Sequence, residues 1–120
     1  MIMRSMEVVT ALAALAQEHR LAIFRLLVQA GAEGMPPAKL VTRLRLPAPT
    51  LSFHLAQLKQ AGLVRVLRSG RSLIYTANYR SMNALLEFLT ENCCGRGQAG
   101  GSPRIQEAVT AGTRQARQHT

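Results

Sequence analysis

The chain has 120 residues and is 48% hydrophobic, enough for one small domain whose apolar residues must be shared economically, a shortage that a dimer would relieve. Its formal net charge is +9, its sequence pI is near 11.3 and it contains no Asp, which points to a polyanionic partner. No stretch approaches the roughly 20 apolar residues of a membrane span, MIMRSMEVVT lacks an apolar run with a cleavage site, and adjacent Cys93 and Cys94 cannot staple a domain; a cytoplasmic chain without secretory signal is expected.

The basicity is not confined to one end. Residues 1–94 hold 11 Lys and Arg against 5 Glu, and residues 95–120 hold 4 Arg against 1 Glu, so the first part alone is +6.

In chain order, Val8, Leu12 and Leu15 set a helical stripe from Glu7 to Ala16 in an alanine-rich background. A second helix is expected from about Glu18 to Ala30, with Leu21, Phe24, Leu27 and Val28 on one side and Ile23 and Leu26 beside them, ended by Gly31 and Gly34. Pro36 and Pro37 suit the opening turn of a third helix, which buries Leu40, Val41 and Leu44.

Pro47 to Val64, PAPTLSFHLAQLKQAGLV, is the stretch around which the rest is organised. Leu51, Leu55 and Leu58 give a helix one narrow buried stripe. Its other sides carry Thr50, Ser52, Phe53, His54, Gln57 and Lys59, which are hydrogen-bonding, stacking or basic groups. Such a helix is suited to phosphates and base edges. Entry through Pro47 and Pro49 leaves no Ser, Thr, Asp or Asn cap ahead of Thr50, so its first amides are available to a phosphate oxygen.

Gly62 supplies a left-handed residue at the helix end. Leu63–Leu67 and Ser72–Ala77 then read as a hairpin with the basic tip Arg68-Ser69-Gly70-Arg71. Asn78 can cap a final helix of about Tyr79 to Cys94, where Met82, Leu85, Leu86 and Leu89 form a stripe that suits the first helix of a partner subunit. The expected fold is mainly α with a small β-hairpin in the order α-α-α-α-β-β-α, a homodimeric winged helix-turn-helix. The domain would span residues 1–94, followed by a basic, Gly/Gln/Arg-rich tail, residues 95–120, with too few large apolar side chains to repay the entropy of ordering except for a weak helical pattern from Pro103 to Gln118.

Lys39, Arg43, Arg45, Lys59, Arg68 and Arg71 lie in or beside the helix-turn-helix and the wing, where phosphate contacts would make binding fall steeply with salt. His19, His54 and His119 are scattered and no His neighbours the cysteines in sequence, so no nucleophile and base share a site and an enzyme is not expected. Two adjacent thiolates can chelate one soft, thiophilic centre. The same pair also reads as incidental small residues, as a redox switch or as a disulfide between subunits.

The stretches EHRLAIFRLL, LPAPTLSFHLAQLKQAGLV and RSGRSLIYTAN, with the final helix, resemble the ArsR/SmtB family of bacterial winged-helix metalloregulators over about Glu7 to Cys94. That resemblance implies a cytoplasmic homodimeric repressor that binds double-stranded operator DNA and leaves when an ion or metalloid binds. It places Thr50, Ser52, Phe53, His54 and Gln57 toward the DNA groove and Arg68 and Arg71 in the wing, and Pro49 at the helix entry is a further candidate DNA contact. Phe53 departs from the polar or basic residue often found there, which suits it to stacking or to a thymine methyl.

Among the family's inducer sites, the Cys-rich motif of the founding arsenic sensors has no counterpart in Pro36 to Leu44, and the Asp and His of the zinc sensors none in Tyr79 to Asn92. ENCCGRG resembles the branch that senses trivalent arsenicals or antimony through vicinal cysteines, so the implied inducer site is Cys93 and Cys94 and no other cofactor is required. The tail offers no third thiol, which excludes three-thiolate binding within one subunit.

Overall fold

The structure, a computed structural model, describes residues 3–92. Its elements are α1 (Ser5–Leu15), α2 (Glu18–Ala30), a single 3-10 turn (Gly31–Glu33), α3 (Pro37–Leu44), α4 (Ala48–Gln60), β1 (Val64–Ser69), β2 (Ser72–Ala77) and α5 (Tyr79–Thr90). Contacts divide the chain into Met1–Leu85 and Leu86–Thr120. The core and the hairpin described below belong to the first unit, and α5 runs from the first into the second.

The helices begin where local chemistry allows. Glu7 accepts a hydrogen bond from the Arg4 amide (2.9 Å) and opens α1. Gln17 caps α2 by accepting from the Arg20 amide (2.9 Å), while Arg20 Nε donates to the Ala14 carbonyl (2.6 Å) and ties the two helices across their turn. Asn78 accepts from the Ser81 amide (3.2 Å) and donates to the Gly62 carbonyl (3.0 Å), so one side chain starts α5 and joins it to the end of α4.

The core is built from Ile23 and Leu27 of α2, Leu40 of α3, Leu51, Leu55 and Leu58 of α4, and Leu63, each at most 2% exposed. Burying one such side chain stabilises the fold by about 1.5–3 kcal/mol relative to leaving it in water. Two sequence-based faces are corrected here. Helix α2 turns Ile23, Phe24 and Leu27 inward and leaves Leu21 44% exposed, because the core lies on the Arg20-Ile23-Phe24-Leu27 side of the wheel. Helix α1 buries Val8 and Ala11 and leaves Leu12 41% exposed.

Strands β1 and β2 pair antiparallel from Val64 opposite Ala77 to Ser69 opposite Ser72. The loop is thus only Gly70 and Arg71, tighter than the four-residue tip expected from sequence. Gly70 has φ 63 and Arg71 is not in the positive-φ region, the pattern of a type II′ turn. Met35 adds a third, single-residue rung: its amide and carbonyl bond Tyr75 on β2, both at 2.9 Å. Gly34 makes this approach possible, since at φ 64 a Cβ there would meet the Tyr75 carbonyl.

Helix α5 ends at Thr90, four residues short of the expected Cys94, with Asn92 left-handed at φ 58 beyond it. Tyr79 at its start donates a hydrogen bond to the Val28 carbonyl (2.9 Å) at the end of α2. No helix among the described residues is long and apolar enough to cross a membrane.

Candidate nucleic-acid interface

Helix α4 is placed from behind by packing on α2, α3 and β1, and its exposed side follows from what that packing consumes. Leu51, His54, Leu55 and Leu58 are buried, at spacings of three, one and three residues. The opposite arc leaves Pro49, Ser52, Phe53, Ala56, Lys59 and Gln60 exposed, with Thr50 and Gln57 half-buried at its flank. Phe53 projects furthest as an apolar group, at 58% exposed.

His54 is not on that face. Its side chain is 7% exposed and its ring lies 5.7 Å from that of His19 on α2, which corrects the expectation that it faces a groove. The physical reason is its spacing: three residues from Leu51 and four from Leu58, it falls on the leucine stripe. Nδ1 of His54 is buried without a hydrogen-bond partner. Burial first, and then the nearby charges of Arg20 and His19, hold the imidazole below its ordinary pKa of 6.5.

Ala56 and Gln60 belong to the exposed face and were missed from sequence. Their signal was present in the spacing Pro49, Phe53, Ala56, Gln60, but an alanine carries no chemistry that draws attention. A small side chain there lets a groove wall come close to the helix.

Ahead of α4, the turn consists of Arg45, Leu46 and Pro47. Arg45 sits in the left-handed region at φ 55 and ψ 41, and is exposed, while Leu46 beside it is buried at 8%. A left-handed conformation costs an ordinary L-residue about 1–2 kcal/mol, and Arg has no local reason to accept it. Helix α4 opens with no side-chain cap; its first helical bond is from the Leu51 amide to the Pro47 carbonyl (2.9 Å). Lys39 and Arg43 on α3 and Lys59 on α4 are exposed, as are Arg65, Arg68 and Arg71 on the hairpin. The hairpin continues directly from α4 through Gly62, which has φ 79.

Exposed hydrogen-bonding groups on one helix, an uncapped N-terminus and basic side chains before and after it can grip phosphates and reach base edges together. No group of three or more His, Cys, Asp or Glu side chains able to hold a metal ion lies among the described residues. Cys93 and Cys94 fall outside them.

The family described as "Helix-turn-helix domain" matches residues 15–66 of this chain. The Vibrio cholerae transcriptional activator HlyU is 32% identical over 94 residues, covering 78% of this chain and 84% of that protein. The structure of reduced HlyU from the same organism superposes with a TM-score of 0.60 at 32% identity, over 75% of this chain and 92% of its own. The homodimeric winged helix-turn-helix DNA-binding domain of a possible ArsR-family regulator from Mycobacterium bovis is 27% identical, with a TM-score of 0.57 over 72% of this chain and 80% of that one. An ArsR-like transcriptional regulator from a Rhodococcus species shares the fold at 24% identity, with a TM-score of 0.64 over 95% of this chain and 92% of its own. With helix order, hairpin and exposed reading helix all in agreement, this chain is a DNA-binding transcriptional regulator and belongs to the ArsR/SmtB family of winged-helix proteins.

Proposed function

We propose that this regulator is a metalloid-responsive repressor: a homodimer holds operator DNA and lets go when arsenite, methylarsenite or antimonite binds Cys93 and Cys94. The observation that carries the inducer half is the vicinal pair itself, the only two cysteines in the chain, adjacent and directly after Asn92. Soft thiolates favour soft centres, and neighbouring sulfurs chelate at small entropic cost. A monomethyl arsenical exchanges two ligands and matches two thiols. Arsenite would take its third ligand from hydroxide, another side chain or the partner subunit.

The dimer is supported by α1, which exposes Met6 at 83%, Val9 at 65% and Leu12 at 41%. A second copy would cover these three side chains. Two α4 helices would then enter successive major grooves about 34 Å apart. Ligation beside the end of α5 would disturb that spacing, and a coupling of ~1–3 kcal/mol relieves repression several-fold or more.

A second reading, a thiol-based redox-sensing regulator on the same fold, is favoured by the similar structure described as reduced HlyU. The test is release of the operator-bound dimer by arsenite, methylarsenite, antimonite, zinc and peroxide, with Cys93→Ser and Cys94→Ser proteins alongside. Release by metalloids that disappears in both variants supports the proposal. Release by peroxide alone selects the redox reading, and unchanged release from the double variant rejects the cysteines as the trigger.

A further inference from the structure

Phe53 is out of place by the standards of its own helix. Leu51, Leu55 and Leu58 are at most 2% exposed, and Phe24 on α2 is 7% exposed, yet Phe53 is 58% exposed. A single exposed apolar side chain is ordinary and explains nothing alone. Three features set this one apart.

The first is position: Phe53 lies on the exposed arc with Pro49, Ser52, Ala56 and Gln60, near the middle of α4 (Ala48–Gln60). The second is support. Its ring meets that of His54 at a centroid distance of 5.6 Å and an interplanar angle of 64°, an edge-to-face contact, and His54 is buried. The exposed ring therefore stands on an anchored neighbour. The third is its surroundings: Pro49 and Ala56, one turn to either side, carry no hydrogen-bonding side chain, while Ser52 and Lys59 border the strip on one edge and Thr50 and Gln57 on the other. Around Phe53 the surface is apolar at its centre and polar along both margins, and Gln60 closes the strip at its C-terminal end.

Base edges in the major groove present donors and acceptors of several kinds but one apolar group, the 5-methyl of thymine. We infer that Phe53 is a specificity-determining residue that packs its ring on the 5-methyl group of one thymine in each operator half-site. The inference rests on α4 being the DNA-reading helix and adds what that helix selects. Ser52, Gln57 and Lys59 hydrogen-bond the neighbouring edges and phosphates, while the ring senses one methyl group and tolerates no polar edge in its place.

The test begins by selecting duplexes from a random pool with the full-length protein. Each thymine of the selected site is then replaced by deoxyuridine, which keeps base pairing and removes only the methyl. Binding is measured by fluorescence anisotropy over a salt series. One position per half-site is expected to lose about fourfold in affinity, the ratio that burial of one methyl gives, and about fifteenfold when both half-sites are changed. In Phe53→Ala that discrimination disappears, and in Phe53→Leu part of it returns. Because Phe53 is more than half exposed, both variants should stay folded, with at most a small drop in unfolding temperature from the lost edge contact with His54.

The inference is overturned if the wild type is indifferent to every deoxyuridine, or if Phe53→Ala keeps the same pattern. It is also overturned if Phe53→Ala changes the association state and not the methyl discrimination, since the ring then serves a protein contact. Absence of any salt-dependent DNA binding would be a different failure. It would remove the reading of α4 itself, and this inference with it.

Discussion

At the scale of single residues, two positions accept a cost that the fold does not require. Arg45 holds a left-handed backbone in the turn before α4, where glycine would be relaxed. Arg45→Gly should raise unfolding free energy by about 0.5–1 kcal/mol in urea titrations. It should also weaken DNA binding and lower the salt slope of a dimer by about two, one phosphate per subunit. A gain in stability without loss of affinity would show that the guanidinium touches no phosphate. His54 is the second case, a buried ring whose Nδ1 has no partner. Its imidazole is held below the ordinary value of 6.5 by burial, then by Arg20 and His19, so the unfolded chain takes up a proton there at a higher pH than the folded chain. The stability due to neutral His54 is therefore complete above about pH 6.5 and is lost as pH falls through the lower folded value. His54→Leu should flatten that part of the stability profile between pH 7.5 and 5.5. An unaltered acid-side decline would place the titrating group elsewhere.

At the scale of elements, the hairpin is the part whose job is least visible in packing. Its inner end is held by Val64 and Ala77, both buried, and by the Met35 rung on Tyr75, whereas the outer end from Arg68 to Leu73 is exposed. A strand pair that buries one end and carries Arg68 and Arg71 at the other is built to reach beyond the core. Replacing Arg71 with Ala should leave thermal stability unchanged, because the residue sits in a solvent-exposed loop. Binding to all duplex sequences should weaken alike, and the plot of log affinity against log salt should flatten by about two for a dimer. A slope equal to wild type would mean that the wing does not contact the backbone. Substitutions on the exposed arc of α4 should behave oppositely: if that arc reads base edges, its losses depend on sequence.

At the scale of the whole molecule, a small chain with a lean core leaves apolar side chains uncovered. The exposed Met6, Val9 and Leu12 on α1 are a surface that water tolerates poorly, and association of two copies would remove it. Val9→Glu puts a charge in the middle of that surface. It should leave the proposed dimer monomeric in sedimentation experiments and reduce affinity for a palindromic site by about 100-fold or more, because the second half-site no longer binds at high effective concentration. Retention of the dimer in this variant would mean that α1 is covered by something other than a second copy.

The helical periods, the proline entries at Pro37 and Pro49, the Asn78 cap and the two β-prone runs lie in local sequence, so element order and the winged architecture were legible without coordinates. The adjacency of Cys93 and Cys94 is also plain in the sequence and is what the proposed inducer site rests on, but the pair lies outside the described residues. Which way each helix turns was decided only by tertiary packing. Sequence spacing admits several apolar arcs on α1 and α2, and the choice of Ala11 over Leu12, and of Ile23 over Leu21, depends on which neighbours are present to bury them. The same competition drew His54 inward and left Phe53 outside. Local sequence lists the side chains a helix can offer, and only the surfaces packed against it determine which of them remain for DNA.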